Sequence, residues 1–204
     1  MNFLDAGQPG LIERLIRFDH WVFTLINQRW TNRFFDLIFP FLRQAEFWIP
    51  LYLFLLFFIT MNFGRRGWLW AFSFIMTAVI SDLVSSSVVK HIFFRLRPCC
   101  SPDIEDQVRF LANYCPYNSS SFTSSHACNH FAMAFFIFLT LKQTSRLWWL
   151  VFVWAFLICY AQVYVGIHFP FDVVAGAILG SVIGCLMVLF FKSQFGPLSL
   201  KHAA

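Results

Sequence analysis

Long apolar segments with almost no charged side chains recur along this chain, and they constrain its fold more than any other feature. Residues 47–63, 147–167 and 173–191 contain no Asp, Glu, Lys or Arg, and residues 67–89 contain only Asp82. A helix needs about 20 mostly apolar residues to cross the hydrocarbon core of a bilayer, where every backbone polar group must be paired internally. These segments therefore predict an all-α, polytopic membrane protein.

Two further parts of the chain complete the predicted helix bundle. Residues 124–141 are apolar apart from two histidines and an asparagine and form a fifth span. Residues 11–29 alternate apolar and charged side chains near helical spacing, which is typical of an interfacial helix, and a short helix over 31–42 completes a sixth crossing with its predecessor. We expect about six transmembrane helices with an N-terminal interfacial helix, arranged as an amphipathic segment 1–30, a transmembrane domain 31–192 and a tail 193–204. No secretory signal peptide is expected, because the opening stretch LDAGQPG is polar.

Composition and charge exclude several other classes of protein. Charged residues make up 12% of the chain, about half the usual share in a soluble domain, and a soluble fold would have to bury nearly all of the 29 phenylalanines. The formal net charge of +5 comes from residues scattered at span ends, so it does not indicate a nucleic-acid partner.

The basic residues also indicate how the chain is oriented. If the five spans cross, the basic residues within 65–66, 142–146 and 192–201 share one side, which the positive-inside rule assigns to the cytoplasm. The loop 95–123 and the turn 166–172 then lie on the opposite side. The polar residues that converge there are Lys90, Arg95, Arg97, Ser124, His126, His168 and Asp172.

His168 and Asp172 form the first candidate catalytic pair. Gly166 can end one helix and Pro170 suits the first turn of the next, so His168 is expected in the bend and Asp172 in the following turn. A carboxylate so placed can hold one imidazole nitrogen and leave the other free as a nucleophile toward phosphorus.

Cations and a helix N-terminus supply the rest of a phosphate site. Lys90 and Arg97 lie two helical turns apart and can clamp an anion, although cations at a span end can also reach lipid headgroups. Ser124 is a good N-cap, so the first amides of its helix, with His126 in the first turn, can face a phosphate. His126 and His130 have the spacing of metal ligands, but HExxH and a cysteine cluster are absent from the sequence. A packing role for His130 and no metal are expected.

Three sequence motifs resemble those of the type 2 phosphatidic-acid phosphatase (PAP2) superfamily. KHIFFRLRP matches K-x6-R-P, TSSH matches P-S-G-H, and AQVYVGIHFPFD matches S-R-x5-H-x3-D. The resemblance implies that His168 is the nucleophile, Asp172 its orienting partner and His126 the general acid, with no metal or other cofactor. It also implies a phosphate-binding set: Lys90, Arg97, Ser124, the amides near Ser125 and His126, and Gln162 at the place of the motif arginine.

The third motif departs from the family pattern. Ala161 and Gln162 replace Ser-Arg, which removes a phosphate-binding guanidinium, and we consider Arg95 as its replacement. In the second motif, Thr123 and Ser125 replace Pro and Gly at a helix start.

The resemblance implies a metal-independent lipid phosphatase that acts through a phosphohistidine. The expected location is the bacterial cytoplasmic membrane, with the site facing the periplasm or exterior. Lipid phosphates are the expected partners, with undecaprenyl diphosphate ranked first. Phosphatidylglycerophosphate, phosphatidate and lipid A are alternatives, as are a lipid phosphotransferase and a phospholipid binder without turnover.

Cysteines in the outer loop are candidates for a disulfide. In an oxidising compartment Cys99 or Cys100 can pair with Cys115, and the sequence leaves both pairings open.

Overall fold

The computed structural model describes residues 10–198, and every regular element in that range is helical. The α-helices of ten or more residues there are α1 Leu11–Thr24, α2 Arg33–Leu42, α3 Ile49–Phe63, α4 Arg65–Asp82, α5 Ser125–Leu141, α6 Leu150–Tyr164 and α7 Pro170–Phe195. Turns of 3₁₀- or π-helix extend several of them, and α4 continues through the π-helical Leu83–Val89 and the short α-helical Lys90–Ile92. Residues 1–9 and 199–204 of the predicted terminal segments lie outside the described range.

The predicted membrane helix bundle is confirmed. Four helical segments are long and apolar enough to cross a membrane: Ala45–Phe63, Arg65–Ile92, Arg146–Tyr164 and Pro170–Phe195. The predicted fifth span is α5, which is apolar but has only 17 residues. The sixth crossing is not one helix, because α2 has 10 residues and therefore rises about 15 Å, half the hydrocarbon thickness.

α5 and α7 form the closest helix pair, because glycines on α7 face the backbone of α5. A Cβ at Gly176, Gly180 or Gly184 would lie 2.5, 2.1 or 2.5 Å from a carbonyl oxygen of α5 or its cap. Small residues at such spacing allow two membrane helices to approach until their backbones touch. This contact fixes the starts of α5 and α7 beside each other, where Ser124 N donates to Asp172 O at 3.0 Å.

α2 packs on α6 through aromatic side chains. Phe39 is 3% exposed, stacks on Phe35 with ring centroids 4.7 Å apart, and meets the edge of Tyr164 at 4.8 Å. The Tyr164 hydroxyl donates to Asp36 at 2.6 Å, and Arg109 contacts both oxygens of that carboxylate at 2.8 Å. These contacts hold the C-terminal end of α2 against the last turns of α6.

The two ends of the bundle differ in character. At one end Arg66, in the first turn of α4, donates to the Pro197 carbonyl at 3.2 Å, so the α3–α4 turn and the chain beyond α7 share a side. At the other end lie the loop 93–124 and the turn 165–169. The loop contains the disulfide Cys99–Cys115, so Cys99 rather than Cys100 is the partner of Cys115.

Candidate active site

Polar side chains line a cavity of about 350 Å³ at the end of the bundle where the loop 93–124 and the turn 165–169 meet. The lining residues are Arg43, Lys90, Arg97, Asn113, Tyr114, Pro116, Ser119, Ser125, His126, Ile167 and His168. Among these described residues there are three cations and no carboxylate, so the cavity suits an anion. Five of the eight predicted site residues line it, and the other three, Ser124, Gln162 and Asp172, do not.

The turn between α6 and α7 presents His168 to the cavity. Gly166 adopts φ +84°, a conformation that favours glycine, and α7 starts with Pro170, as the sequence predicts. Ile167 and His168 both donate their backbone N–H to the Gln162 carbonyl, at 3.2 and 3.3 Å. The His168 side chain is 2% exposed and is therefore held rigidly, with one edge toward the cavity.

Asp172 reaches the imidazole through a serine that sequence reasoning missed. His168 Nδ1 lies 3.8 Å from Asp172 Oδ2, within ion-pair distance but too far for a direct hydrogen bond. Ser121 Oγ lies 3.2 Å from His168 Nδ1 and donates to Asp172 Oδ2 at 2.5 Å. The Ser121 hydroxyl donates its hydrogen to the carboxylate, so its oxygen accepts from His168. The imidazole therefore carries its proton on Nδ1, and its Nε2 lone pair faces the cavity.

Arg97 contacts the free nitrogen of this histidine. Its Nη1 lies 3.1 Å from His168 Nε2, and its other N–H groups donate to Ser119 and to the Ser120 carbonyl. Burial lowers the pKa of the Arg97 guanidinium, and Asp172 acts in the opposite direction. The pKa of His168 falls to about 4, chiefly through burial, although the negative charge of the nearby Asp172 raises it. The imidazole is therefore neutral near pH 7, as a nucleophile requires.

The remaining predicted phosphate ligands divide into two groups. Lys90, Ser125 and His126 line the cavity, and the buried Ser125 hydroxyl has no hydrogen-bond partner among the described residues. Ser124 is fully buried, and its hydroxyl accepts from Ala127 N at 3.4 Å, so it serves as the helix cap rather than facing the cavity.

Arg95 does not replace the missing motif arginine, contrary to the hypothesis drawn from the sequence. Its guanidinium donates to Asp172 Oδ1 at 2.8 Å and to Asp19 Oδ2 at 2.5 Å, and it lies over the Phe169 ring at 4.1 Å. Two buried carboxylates thus engage the side chain behind the turn that bears His168, away from the cavity lining. Burial raises the pKa of Asp19, an effect that Arg95 opposes.

Gln162 contacts a different arginine. Its side chain is fully buried, and its Oε1 accepts from Arg43 Nε at 3.4 Å. Arg43 follows α2 directly and lines the cavity, yet no motif marks it in the sequence. His130 lies outside the cavity lining and its Nδ1 contacts the His126 carbonyl at 2.7 Å, an arrangement that fits the packing role expected of it.

Comparisons with known proteins agree with this geometry. A family model described as the PAP2 superfamily matches residues 67–195. The chain is 30% identical over 142 residues to a lipid A 4′-phosphatase of Bacteroides thetaiotaomicron, which covers 68% of this chain and 62% of that protein. It is 46% identical over 50 residues to an undecaprenyl-diphosphatase of Sulfolobus acidocaldarius, which covers 24% of each chain.

A solved structure has the same architecture. The crystal structure of Aquifex aeolicus LpxE superposes with a TM-score of 0.65 at 25% sequence identity, over 84% of this chain and 95% of that one. The chain thus spans nearly all of this structure, but less than two thirds of the length of the Bacteroides relative.

Proposed function

The chain belongs to the PAP2 superfamily, and from that premise we propose that it is an integral membrane lipid phosphatase that works through a phosphohistidine. One observation carries the proposal: a buried, neutral His168 directs Nε2 at a cavity lined by three cations, while Nδ1 is linked through Ser121 to a carboxylate. A nucleophile, a relay and anion-binding groups together are the requirements of phosphoryl transfer.

In the first step, the Nε2 lone pair of His168 attacks phosphorus. The N–P bond forms as the bond from phosphorus to the lipid oxygen breaks, and the leaving oxygen takes a proton from the cationic imidazole of His126, which becomes neutral. The imidazole becomes cationic, and the chain from Nδ1 through Ser121 to Asp172 stabilises that charge. Arg97, which contacts Nε2 in the structure, then donates to a phosphate oxygen instead.

In the second step, His126 takes a proton from water, and the water oxygen attacks phosphorus. The N–P bond breaks, orthophosphate forms, and His168 returns to its neutral state with the proton on Nδ1. Lys90, Arg97 and Ser125 stabilise charge on the phosphate oxygens in both steps, because each lines the cavity with a donor. Ser124 acts only as the cap that orients the first amides of α5.

An apolar groove supports a lipid rather than a soluble phosphate as substrate. A cavity of about 440 Å³ between α3, α4 and α5 is lined mostly by apolar side chains and by His130. The His130 ring lies 6.4 Å from that of His126, so the groove begins one helical turn below the phosphate cavity. A hydrocarbon chain can lie in the groove while its headgroup reaches His168.

Among lipid phosphates we favour a lipid A type glycolipid phosphate. The similarity to a lipid A 4′-phosphatase extends over a much larger part of the chain than that to an undecaprenyl-diphosphatase. Undecaprenyl diphosphate, ranked first on the sequence alone, becomes the alternative. Phosphatidylglycerophosphate and phosphatidate are further candidates, and transfer of the phosphoryl group to an acceptor alcohol on the same phosphohistidine is a second possible reaction.

We place the site on the outer side of a bacterial cytoplasmic membrane. Arg65, Arg66 and Lys142 lie at the opposite end of the bundle from the cavity, which supports a cytoplasmic assignment for that end. The disulfide in the loop 93–124 supports an oxidising compartment on the cavity side.

Phosphate release from lipids by detergent-purified protein tests this function. We expect release in the presence of EDTA from lipid A, with undecaprenyl diphosphate, phosphatidate and phosphatidylglycerophosphate assayed beside it. Loss of release in His168→Ala is expected, because no other residue replaces the nucleophile. Ser193→Ala, an exposed substitution in the last turns of α7, is the control and should keep the wild-type rate. No release from any of these lipids would contradict the proposal.

A further inference from the structure

We propose that Arg43 is a phosphate-binding residue of this site and that Gln162 is the residue that positions it. This inference rests on the proposed function, because it names a group that would act on the same substrate phosphate. No motif marks Arg43, and its partner Gln162 lies 119 positions away in the sequence.

Arg43 is a cation of the cavity without a carboxylate partner among the described residues. Its side chain lines the cavity with Lys90 and Arg97, and the hydrogen bond it makes there uses only Nε, toward Gln162. A guanidinium has five N–H donors, so the two terminal nitrogens are left to face a ligand. Burial lowers the pKa of Arg43, which shows that the charge is partly removed from water. A half-buried arginine without a carboxylate partner is more favourable when an anion completes the site.

Gln162 connects this arginine to the nucleophile. Its side-chain oxygen accepts from Arg43 Nε, while its backbone oxygen accepts from the N–H groups of Ile167 and His168. One buried residue in the last turns of α6 therefore fixes both the turn that bears His168 and the direction of the guanidinium. A neutral amide suits this position, because an arginine there would place a second positive charge against Arg43.

The packing of α2 explains how Arg43 reaches the site. Phe39, one turn earlier, is buried against Tyr164 and Tyr160 of α6, so the end of α2 is held beside the last turns of α6. Arg43 is the first residue after the helix and has helical backbone angles, which directs its side chain along the same face. The third motif has no positive charge at position 162. Arg43, at the end of α2 and outside all three motifs, supplies a positive charge to the cavity instead.

Variants of both residues test the proposal through kinetics. We expect Arg43→Ala to lower kcat/KM for the lipid phosphate by about 100- to 1,000-fold, as removal of a donor to the reacting phosphate does. Arg43→Lys should recover part of this loss, because it keeps the charge but not the forked geometry. Adding Gln162→Arg to Arg43→Ala should raise kcat/KM at least tenfold above that of Arg43→Ala alone, since a guanidinium then enters the cavity from α6. Arg33→Ala, an exposed substitution on α2, is the control and should match wild type.

Binding of orthovanadate separates this proposal from the proposed function. Vanadate titrated calorimetrically into detergent-purified protein reports the anion site without turnover. We expect Arg43→Ala to weaken binding by at least tenfold while Arg33→Ala leaves it unchanged. If wild-type protein releases no phosphate from any lipid, the proposed function fails, yet a selective loss of vanadate binding in Arg43→Ala still supports this role. Wild-type vanadate affinity in a folded Arg43→Ala protein, or wild-type kcat/KM where wild type turns over, would overturn it.

Discussion

At the scale of single residues, the protonation of His168 sets the pH range of the proposed reaction. Burial holds its pKa at about 4, well below the usual value of 6.5, so the nucleophilic neutral form persists in moderately acidic solution. The unfolded chain binds this proton already below about pH 6.5, so the folded state loses stability as the pH falls from about 6.5 toward 4.

We therefore expect the acid limb of kcat/KM to have its midpoint near pH 4 rather than near 6.5. The measurement is phosphate release between pH 3.5 and 8, with the ionisation of the substrate followed separately by its phosphorus NMR shift and with the protein confirmed as folded at each pH. A midpoint near 6.5 that belongs to the enzyme would show that the imidazole is not desolvated as described.

The candidate site could be predicted from the sequence only where helix ends fix the residues locally. The spacing of His168 and Asp172 around Pro170 was sufficient, because a turn followed by a helix start leaves few arrangements. Ser121 was not predictable, since it lies in a serine-rich loop 47 residues away from its partner. Arg43 was not predictable either, because its place depends on how α2 packs, which no local pattern encodes.

At the scale of secondary-structure elements, the contact between α5 and α7 determines whether the two histidines proposed to be catalytic share a cavity. His126 lies in the first turn of α5 and His168 lies just before α7. Gly180 lies at the closest point, where an added Cβ would lie 2.1 Å from the Cys128 carbonyl oxygen. Because this neighbour is backbone, the helices must move apart to admit even a methyl group.

We expect Gly180→Ala to lower the free energy of unfolding by about 1–3 kcal/mol, as overpacking does, and to lower kcat by separating the histidines. Thermal unfolding in detergent and phosphate release are the two measurements. Val174→Ile, which adds a methylene group on an exposed face of α7, is the matched control and should leave both unchanged. Wild-type values for Gly180→Ala would show that the close approach is not required.

The helices themselves were largely predictable. The predicted span 47–63 corresponds to Ala45–Phe63, and the predicted helix over 31–42 corresponds to α2, Arg33–Leu42. The span predicted over 173–191 extends in both directions to Pro170–Phe195, because Pro170 starts the helix and the charged Lys192 does not end it. The sequence shows glycines at 176, 180 and 184, but which helix they face depends on tertiary packing.

At the scale of the whole molecule, the disulfide Cys99–Cys115 closes the loop that forms one wall of the cavity. Asn113, Tyr114 and Pro116 of that wall lie beside the bridge, and Arg97 precedes it. A bridge over a loop of this length stabilises a fold by about 3 kcal/mol, mainly by restricting the unfolded chain. The loop therefore has little freedom around the proposed phosphate site.

We expect the double substitution Cys99→Ser, Cys115→Ser to lower the free energy of unfolding by about 3 kcal/mol and to raise KM more than it lowers kcat. The reason is that the catalytic groups remain while one cavity wall becomes free to move. Dithiothreitol should reproduce the effect on wild type and leave the double variant unchanged, with Cys185→Ser as the control. A wild-type protein indifferent to dithiothreitol would contradict this view of the loop.

The membrane architecture could be predicted from the sequence, because a helix that lies in the hydrocarbon of a bilayer must be apolar along its whole length. The arrangement of the loops did not follow, since polar loop residues near 100–120 have no repeating pattern. That difference explains why the sequence predicts which end of the bundle carries the candidate site but not which loop residues form the cavity wall.

A cavity with three cations and no carboxylate among its described lining residues has a consequence for the end of the catalytic cycle. Under the proposed function, the dephosphorylated lipid can leave sideways into the bilayer, whereas orthophosphate must leave against Arg43, Lys90 and Arg97. The donors that capture the substrate therefore also retain the inorganic product. Under the proposed function, such an enzyme is subject to product inhibition: it slows wherever free phosphate is abundant and accelerates where phosphate is scarce. Feedback of this kind needs no regulatory domain, because the catalytic site itself responds to the supply.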